Sequence, residues 1–335
     1  MDDQTHVVKQ KTYLLNCLDE LLSHNVLGDR QYKNRYNGFT AELAFCRWHA
    51  ENRDTALLDG GMFLPIQKSD NSFQRAIYYT VTERPPADFQ EVYRAAKNLA
   101  SEGQFLIQIQ VNADPFTWEK NVFFKTVGTE LSIAFPVPPF QAYRFHPESG
   151  TFKTIQIDEI RRLFKQEKPA LKKKVIPDEM KLNFINKFSA YDLAHIKKLY
   201  ADRLFFDGFF NLTLARGAPL DIDTFVLGRD GRHLILEIKE KDQSKNSPIG
   251  FGMDTRRIDS LQKLAGVFDT KAFYLVSHIN NQIERRHIDW RIIDMNKFQK
   301  KTQHSPVVEG GTGMRSTSSH NPTKVCAFAE FTQLT

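Results

Sequence analysis

The stretch Asp221-Ile-Asp-Thr-Phe-Val-Leu-Gly-Arg-Asp-Gly-Arg-His-Leu-Ile-Leu-Glu-Ile-Lys239 decides the reading of this chain. Two apolar or alternating arms, Ile222 to Leu227 and Leu234 to Ile238, flank the turn signal Gly228-Arg-Asp-Gly231, so the spacing predicts a β-hairpin. With the turn centred on Asp230, position 223 lies opposite position 237. Side chains directly opposite in an antiparallel pair stand about 5 Å apart at Cβ. Asp223 and Glu237 would therefore repel each other unless a cation lies between them. Lys239, two residues beyond Glu237, is predicted on the same face of the strand.

Paired carboxylate oxygens suit Mg²⁺, with Mn²⁺ as a substitute. A metal held there polarises a phosphodiester and lowers the pKa of an attacking water, and a lysine beside it orients that water or neutralises charge at phosphorus. The alternative is an acid-x-lysine pair solvated on an exposed strand. The apolar run Leu234-Ile-Leu236 before Glu237 and the upstream Asp223 at hairpin spacing favour the metal-binding pattern.

An acid, a short hairpin and then acid-x-lysine resemble the signature of the PD-(D/E)xK nuclease superfamily, with Asp223, Glu237 and Lys239 at the three positions. The proline-acid pair is not literal, because Pro219 precedes Leu220 and Asp221. Asp221 is thus a second candidate for the first acid, or a support facing Lys239. The resemblance implies a restriction-endonuclease-like αβββαβ core with a mixed central sheet, and metal held by Asp223, Glu237 and the backbone carbonyl of Ile238. It covers about residues 188–280. Family members often add an acid from the first core helix. Asp192 is a local option. Glu42, in Gly38-Phe-Thr-Ala-Glu42, is another, but it requires a domain inserted within the nuclease fold; its simpler reading is an exposed helix residue.

Around the hairpin, helical spacing predicts a helix over 188–203, the aromatic run 205–214 predicts a strand, and Ile258, Leu261, Leu264, Ala265 and Phe268 predict a helix over 254–268. Ala272 to Ser277 reads as a buried strand. Upstream, helices at 6–24 and 38–52 and strands near 74–83, 104–111, 121–126 and 130–135 suggest a separate N-terminal α+β domain. The fold class is therefore α+β or α/β. The expected division is 1–175 for the N-terminal domain ending in a basic linker, 176–302 for the nuclease-like domain, and 303–335 for a loop and final strand. Gly310-Gly-Thr-Gly313 lacks the lysine and spacing of a P-loop.

The 335 residues are 41% hydrophobic and 26% charged, ordinary for a globular protein, and no apolar run reaches membrane-spanning length. Three widely spaced cysteines form no zinc pattern and fit a reducing compartment, and the acidic start Met1-Asp-Asp-Gln lacks an apolar signal region, so the cytoplasm is expected. Net charge is +6, with a basic run from Arg161 to Lys174. Lys172, Lys173 and Lys174, and Arg256 and Arg257 beyond the hairpin, are candidate nucleic-acid contacts, or else a solvated linker and helix face. Helical phase puts both arginines on a polar face.

The expected function is a Mg²⁺-dependent endonuclease on DNA of restriction or related defence type. A homodimer and an associated methyltransferase are implied partners. The alternatives are a repair, recombination, mobile-element or RNA-acting nuclease, and a nucleic-acid-binding protein with a vestigial nuclease fold.

Overall fold

A computed structural model describes residues 3–66, 75–125, 132–164, 173–214, 219–228, 232–245, 247–310 and 321–335. The chain is of mixed α and β class and forms two compact units, neither continuous in sequence: Met1–Lys33 with Gly61–Asp221, and Asn34–Gly60 with Ile222–Thr335. The boundary expected near residue 175 therefore falls inside the first unit. The reason is a non-local strand pair. Ala56–Asp59 joins the sheet of the hairpin, and this draws residues 34–60 into the second unit. No helix among the described residues is long and apolar enough to cross a membrane.

The first unit holds a six-stranded mixed sheet in the order Thr151–Ile155, Phe140–His146, Gly103–Ile109, Ala76–Thr82, Met62–Pro65, Leu220–Asp221. Its strand Ala76–Thr82 is buried along its whole length, as a central strand covered on both faces must be. The helix Asp3–His24 buries Leu14, Leu18, Leu21 and Leu22 at helical spacing. The single helix expected over 188–203 is two helices, Asp178–Ser189 and Leu193–Arg203. The strand expected at 205–214 is instead the π-helix Leu204–Leu214. Its residues 204–210 are buried without alternation, and a short apolar run of that kind fits a buried helix as well as a buried strand.

The second unit positions the hairpin. Its elements are α1 (Asp29–Asn52, with residues from 34 onward in this unit), β1 (Ala56–Asp59), β2 (Thr224–Leu227), β3 (His233–Lys241), β4 (Gly250–Asp254), α2 (Thr255–Val267), β5 (Ala272–Ile279), β6 (His287–Asp294), α3 (Met295–Thr302), β7 (Val308–Gly310), β8 (Asn321–Ala327) and β9 (Thr332–Leu334). The main sheet has the order β1-β2-β3-β5-β6-β9. It is antiparallel throughout except for β3 and β5, which run parallel and are connected through β4 and α2. The C-terminal stretch is no separate tail: β8 pairs with β4 and β9 edges the main sheet.

Period-2 alternation sorts the two faces of this sheet. Leu236 and Ile238 of β3, Leu275 and Trp290 pack with Ala41 and Phe45 of α1. Ile235, Glu237 and Lys239 point the other way, toward the face covered by α2, whose Ile258, Leu261 and Leu264 are buried. Asp254 caps α2 by accepting a hydrogen bond from the Arg256 N–H at 2.8 Å.

Candidate active site

The β2–β3 ladder runs from Leu227 opposite His233 to Thr224 opposite Leu236. Continued by one pair, this register sets Asp223 against Glu237. Gly228 donates its N–H to the Arg232 carbonyl at 2.7 Å and closes the hairpin; residues 229–231 of the expected turn lie outside the described residues.

Asp223 stands where β2 leaves the ladder. Its Oδ2 accepts hydrogen bonds from the Ile238 N–H at 2.7 Å and from Lys239 Nζ at 3.2 Å. Lys239 Nζ lies 2.8 Å from Glu237 Oε1, so one ammonium bridges both acids. Arg257 of α2 reaches the same carboxylate from the other side and pairs with Oε2. The side chains of Glu237 and Asp223 are 1% and 6% exposed, whereas Lys239 is 39% exposed. Two buried carboxylates are thus gathered at one ladder end and neutralised by two cations, the arrangement that burial of charge demands.

The chemistry of this set fits a hard cation. Glu237 Oε1 is buried and lacks a hydrogen-bond partner of acceptable direction, although the Lys239 ammonium is close. Ile238 directs its N–H toward Asp223, and the carbonyl of a strand residue leaves the same edge as its N–H. That carbonyl lies beyond the last pair of the β2 ladder. Among the described residues, however, no group of three or more His, Cys, Asp or Glu side chains is placed to hold a metal. The fit is therefore to two carboxylates.

The other sequence candidates lie elsewhere. Asp221 is in the first unit, opposite Met62 in the strand pair Leu220–Asp221 with Met62–Pro65. Asp192 stands at the N-cap position of the helix Leu193–Arg203 without a capping hydrogen bond from its side chain, which is 80% exposed and 3.8 Å from His195 Nδ1. Glu42 is on α1, half-buried, next to Ala41, which packs on the sheet face opposite Glu237. Lys172 lies outside the described residues. Lys173 is paired with Glu20, and Lys174 is exposed, with its backbone N–H donated to the Ser23 carbonyl at 3.0 Å. Arg256 is exposed on the first turn of α2.

Arg257 corrects the helical phasing given to it. It does not project from a polar face but inward, to Glu237. Positions 257, 261 and 264 form an i, i+4, i+7 stripe with two buried leucines, and that spacing was the signal in the sequence. Further along the same sheet face, Lys241 lies opposite His278 in the β3–β5 register. His278 Nδ1 is 3.0 Å from Asp289 Oδ1, and its Nε2 is 3.3 Å from Gln243 Nε2. Burial raises the Asp289 carboxyl, but hydrogen bonds from Arg291 and His278 outweigh it and bring its pKa below the usual value. Burial, with Lys239 nearby, lowers the pKa of Lys241. Tyr274, opposite Glu237 on β5, is held in its phenol form by burial and donates to the Gly252 carbonyl at 3.1 Å.

No family model, curated protein or solved structure matches this chain.

Proposed function

We propose that the second unit is a Mg²⁺-dependent nuclease that hydrolyses phosphodiester bonds of DNA. The observation carrying this reading is Lys239 Nζ set between Asp223 Oδ2 and Glu237 Oε1, at 3.2 and 2.8 Å, on the open end of a two-strand ladder. The element order α1-β1-β2-β3-β4-α2-β5, with β3 and β5 parallel and β4 paired in a second sheet, supports the restriction-endonuclease-like core that the motif implies, with β4 added to it. That order is drawn from residues 34–60 and 222–279 rather than from 188–280.

Asp223, Glu237 and the Ile238 carbonyl would hold Mg²⁺, which supplies a polarised phosphodiester and a water of lowered pKa. The Ile238 N–H fixes the Asp223 carboxylate, so this ligand is set before substrate arrives. Lys239 Nζ, the more exposed of the two cations on the acids, orients the attacking water by donating to its oxygen. Glu237 is buried, with Tyr274, also buried, opposite it on β5. DNA as substrate rests on the net charge of +6 and the exposed Arg256 on the first turn of α2. A restriction-type or related defence role, with a homodimer that cuts both strands and an associated methyltransferase, is the narrower reading within this class.

One observation favours a second reading. Two carboxylates and two cations balance to zero charge, as a purely structural network in a vestigial nuclease fold would. Cleavage of mixed duplex DNA in Mg²⁺ separates the two. Wild type should cleave, and Asp223→Ala, Glu237→Ala and Lys239→Ala should each lose about a hundredfold or more of the rate, the loss of a metal ligand or charge-stabilising group. Retained DNA binding with no cleavage by wild type in Mg²⁺ or Mn²⁺ would favour the vestigial fold, and equal cleavage by all four proteins would remove the site assignment.

A further inference from the structure

We infer that Lys241 is a seat for a backbone phosphate of DNA, next along the strand from the phosphate that lies at Lys239. That the anion belongs to DNA rests on the nuclease reading; the seat itself rests on unmatched charge and an open strand edge. The cations around Lys241 are matched to acids, and Lys241 is not. Lys239 bridges Asp223 and Glu237, Arg257 pairs with Glu237, and Arg285 pairs with Glu240. Among the described residues no acid stands within ion-pair distance of Lys241. Its chain neighbour Asp242 accepts a hydrogen bond from Gln282. Across the β3–β5 register Lys241 meets His278, whose Nδ1 is engaged with Asp289. A half-buried ammonium with Lys239 and Arg285 nearby costs free energy until an anion comes to it.

The backbone of β3 adds a donor at the same place. Ile235 donates its N–H at 2.9 Å to the carbonyl of Lys271, just ahead of β5, whereas Ile238 donates to Asp223 on the other edge. N–H groups alternate between the two edges along a strand, so the Glu240 N–H leaves by the same edge as that of Ile238. The β2 ladder stops at Leu236, and from Glu237 onward β2 no longer covers that edge. Lys239 and Lys241 project from one face on either side of this N–H, about 7 Å apart along the strand, a spacing that successive phosphates of one DNA strand match. An anion set there meets an ammonium and an N–H together. The Glu240 carboxylate lies on the opposite face with Arg285 and does not repel it. A nucleic-acid backbone fits because it brings one negative charge at each step, and a strand whose reacting phosphate lies at Lys239 carries the next one to Lys241.

The test is binding of a short labelled DNA duplex to the full chain by fluorescence anisotropy, over a KCl series without divalent metal. The proteins are wild type, Lys241→Gln, Lys241→Arg and Lys300→Gln. Lys300 is exposed on α3, so its replacement removes the same unit of net charge away from the seat. Lys241→Gln should weaken binding about fivefold and lower the slope of log affinity against log salt by about one, the loss of one phosphate contact. Lys241→Arg should keep the slope, and Lys300→Gln should leave affinity and slope near wild type. Equal effects of Lys241→Gln and Lys300→Gln would overturn the seat. Cleavage of the same duplex in Mg²⁺ is read separately. If wild type cleaves while Lys241→Gln keeps the full slope, the seat is overturned and the nuclease reading stands. If wild type binds with the Lys241-dependent slope and never cleaves, the seat stands and the nuclease reading falls. Absence of duplex binding by wild type at low salt overturns the seat. Should Lys241→Gln not fold, the wild type still decides: its Glu240 amide resonance should move on titration with the duplex, and an unmoved signal at saturation overturns the seat.

Discussion

At the scale of single residues, three buried or half-buried acids each have more than one cationic or N–H partner. Glu237 has Lys239 and Arg257, Asp223 has Lys239 and the Ile238 N–H, and Glu20 of the first unit has His24 and Lys173. For Glu20 the consequence is measurable as pH dependence. The hydrogen bond from His24 lowers its pKa, burial raises it, and Lys173 lowers it further, giving a fall from 4.5 to about 2. A carboxyl with a depressed folded pKa binds fewer protons folded than unfolded, so its stabilising effect is complete above the unfolded value and lost as pH falls from about 4.5 toward 2. Wild type should therefore exceed Glu20→Gln in urea midpoint at pH 7, and the gap should shrink at pH 3. A gap of constant size at both pH values would mean that Glu20 is not held in this way. The same pairing bears on the basic run read from the sequence. Lys173 is already engaged with Glu20, so its replacement should weaken DNA binding less than the charge of the run alone implies.

At the scale of elements, the site depends on how closely β1 approaches the chain entering β2. A Cβ placed on Gly60 would stand 1.8 Å from the Ile222 carbonyl oxygen and 2.8 Å from the Asp223 carbonyl carbon. Both are backbone atoms and cannot rotate aside, so Gly60→Ala must displace the segment that carries Asp223. We expect a loss of about 3 kcal/mol in urea unfolding, at the upper end for overpacking, with DNA cleavage falling further than unfolding accounts for. Unchanged stability would show that the β1–β2 approach is looser than described. This approach was not legible in the sequence, whereas the β2–β3 register was. A turn signal centred on Asp230 between two apolar arms leaves little choice of pairing, and Thr224 opposite Leu236 is the pair they predict. Other elements failed for local reasons. Phe205 to Phe210 offered an apolar run too short to carry a period. Strand β6, His287–Asp294, offers no clean alternation along its length, and its first two residues, His287 and Ile288, are exposed. Arg257 was legible in kind but misplaced by phase, since an arginine on an apolar stripe is rarely buried without a partner, and that partner, Glu237, lies on β3 rather than on its own helix.

At the scale of the whole molecule, the order of the chain explains why the candidate site could be found while its domain could not. Asp59, the last residue of β1, pairs with Thr224, the first of β2. Two antiparallel strand ends in that relation are the ends of a hairpin, and residues 61–221 stand where its loop would be. Local periodicity reads α1, β1 and the hairpin as separate pieces, because the pairing that unites them spans 165 to 171 positions of sequence. The insertion predicts its own removal. Replacing residues 61–221 by a short Asn-Gly turn within a chain of residues 29–335 should leave the β1–β2 ladder and the Ala41, Phe45, Leu236, Ile238 core closed, since hairpin tips accept insertions and deletions at small cost. The shortened chain should unfold in one cooperative urea transition, with slow amide exchange at Phe225 and Leu236. If Asp223, Glu237 and Lys239 are sufficient for chemistry, it should also nick DNA in Mn²⁺, with affinity reduced by whatever the first unit contributes. An unfolded or molten product, with no protected amides in β2 or β3, would show that the second unit requires residues 61–221 to fold.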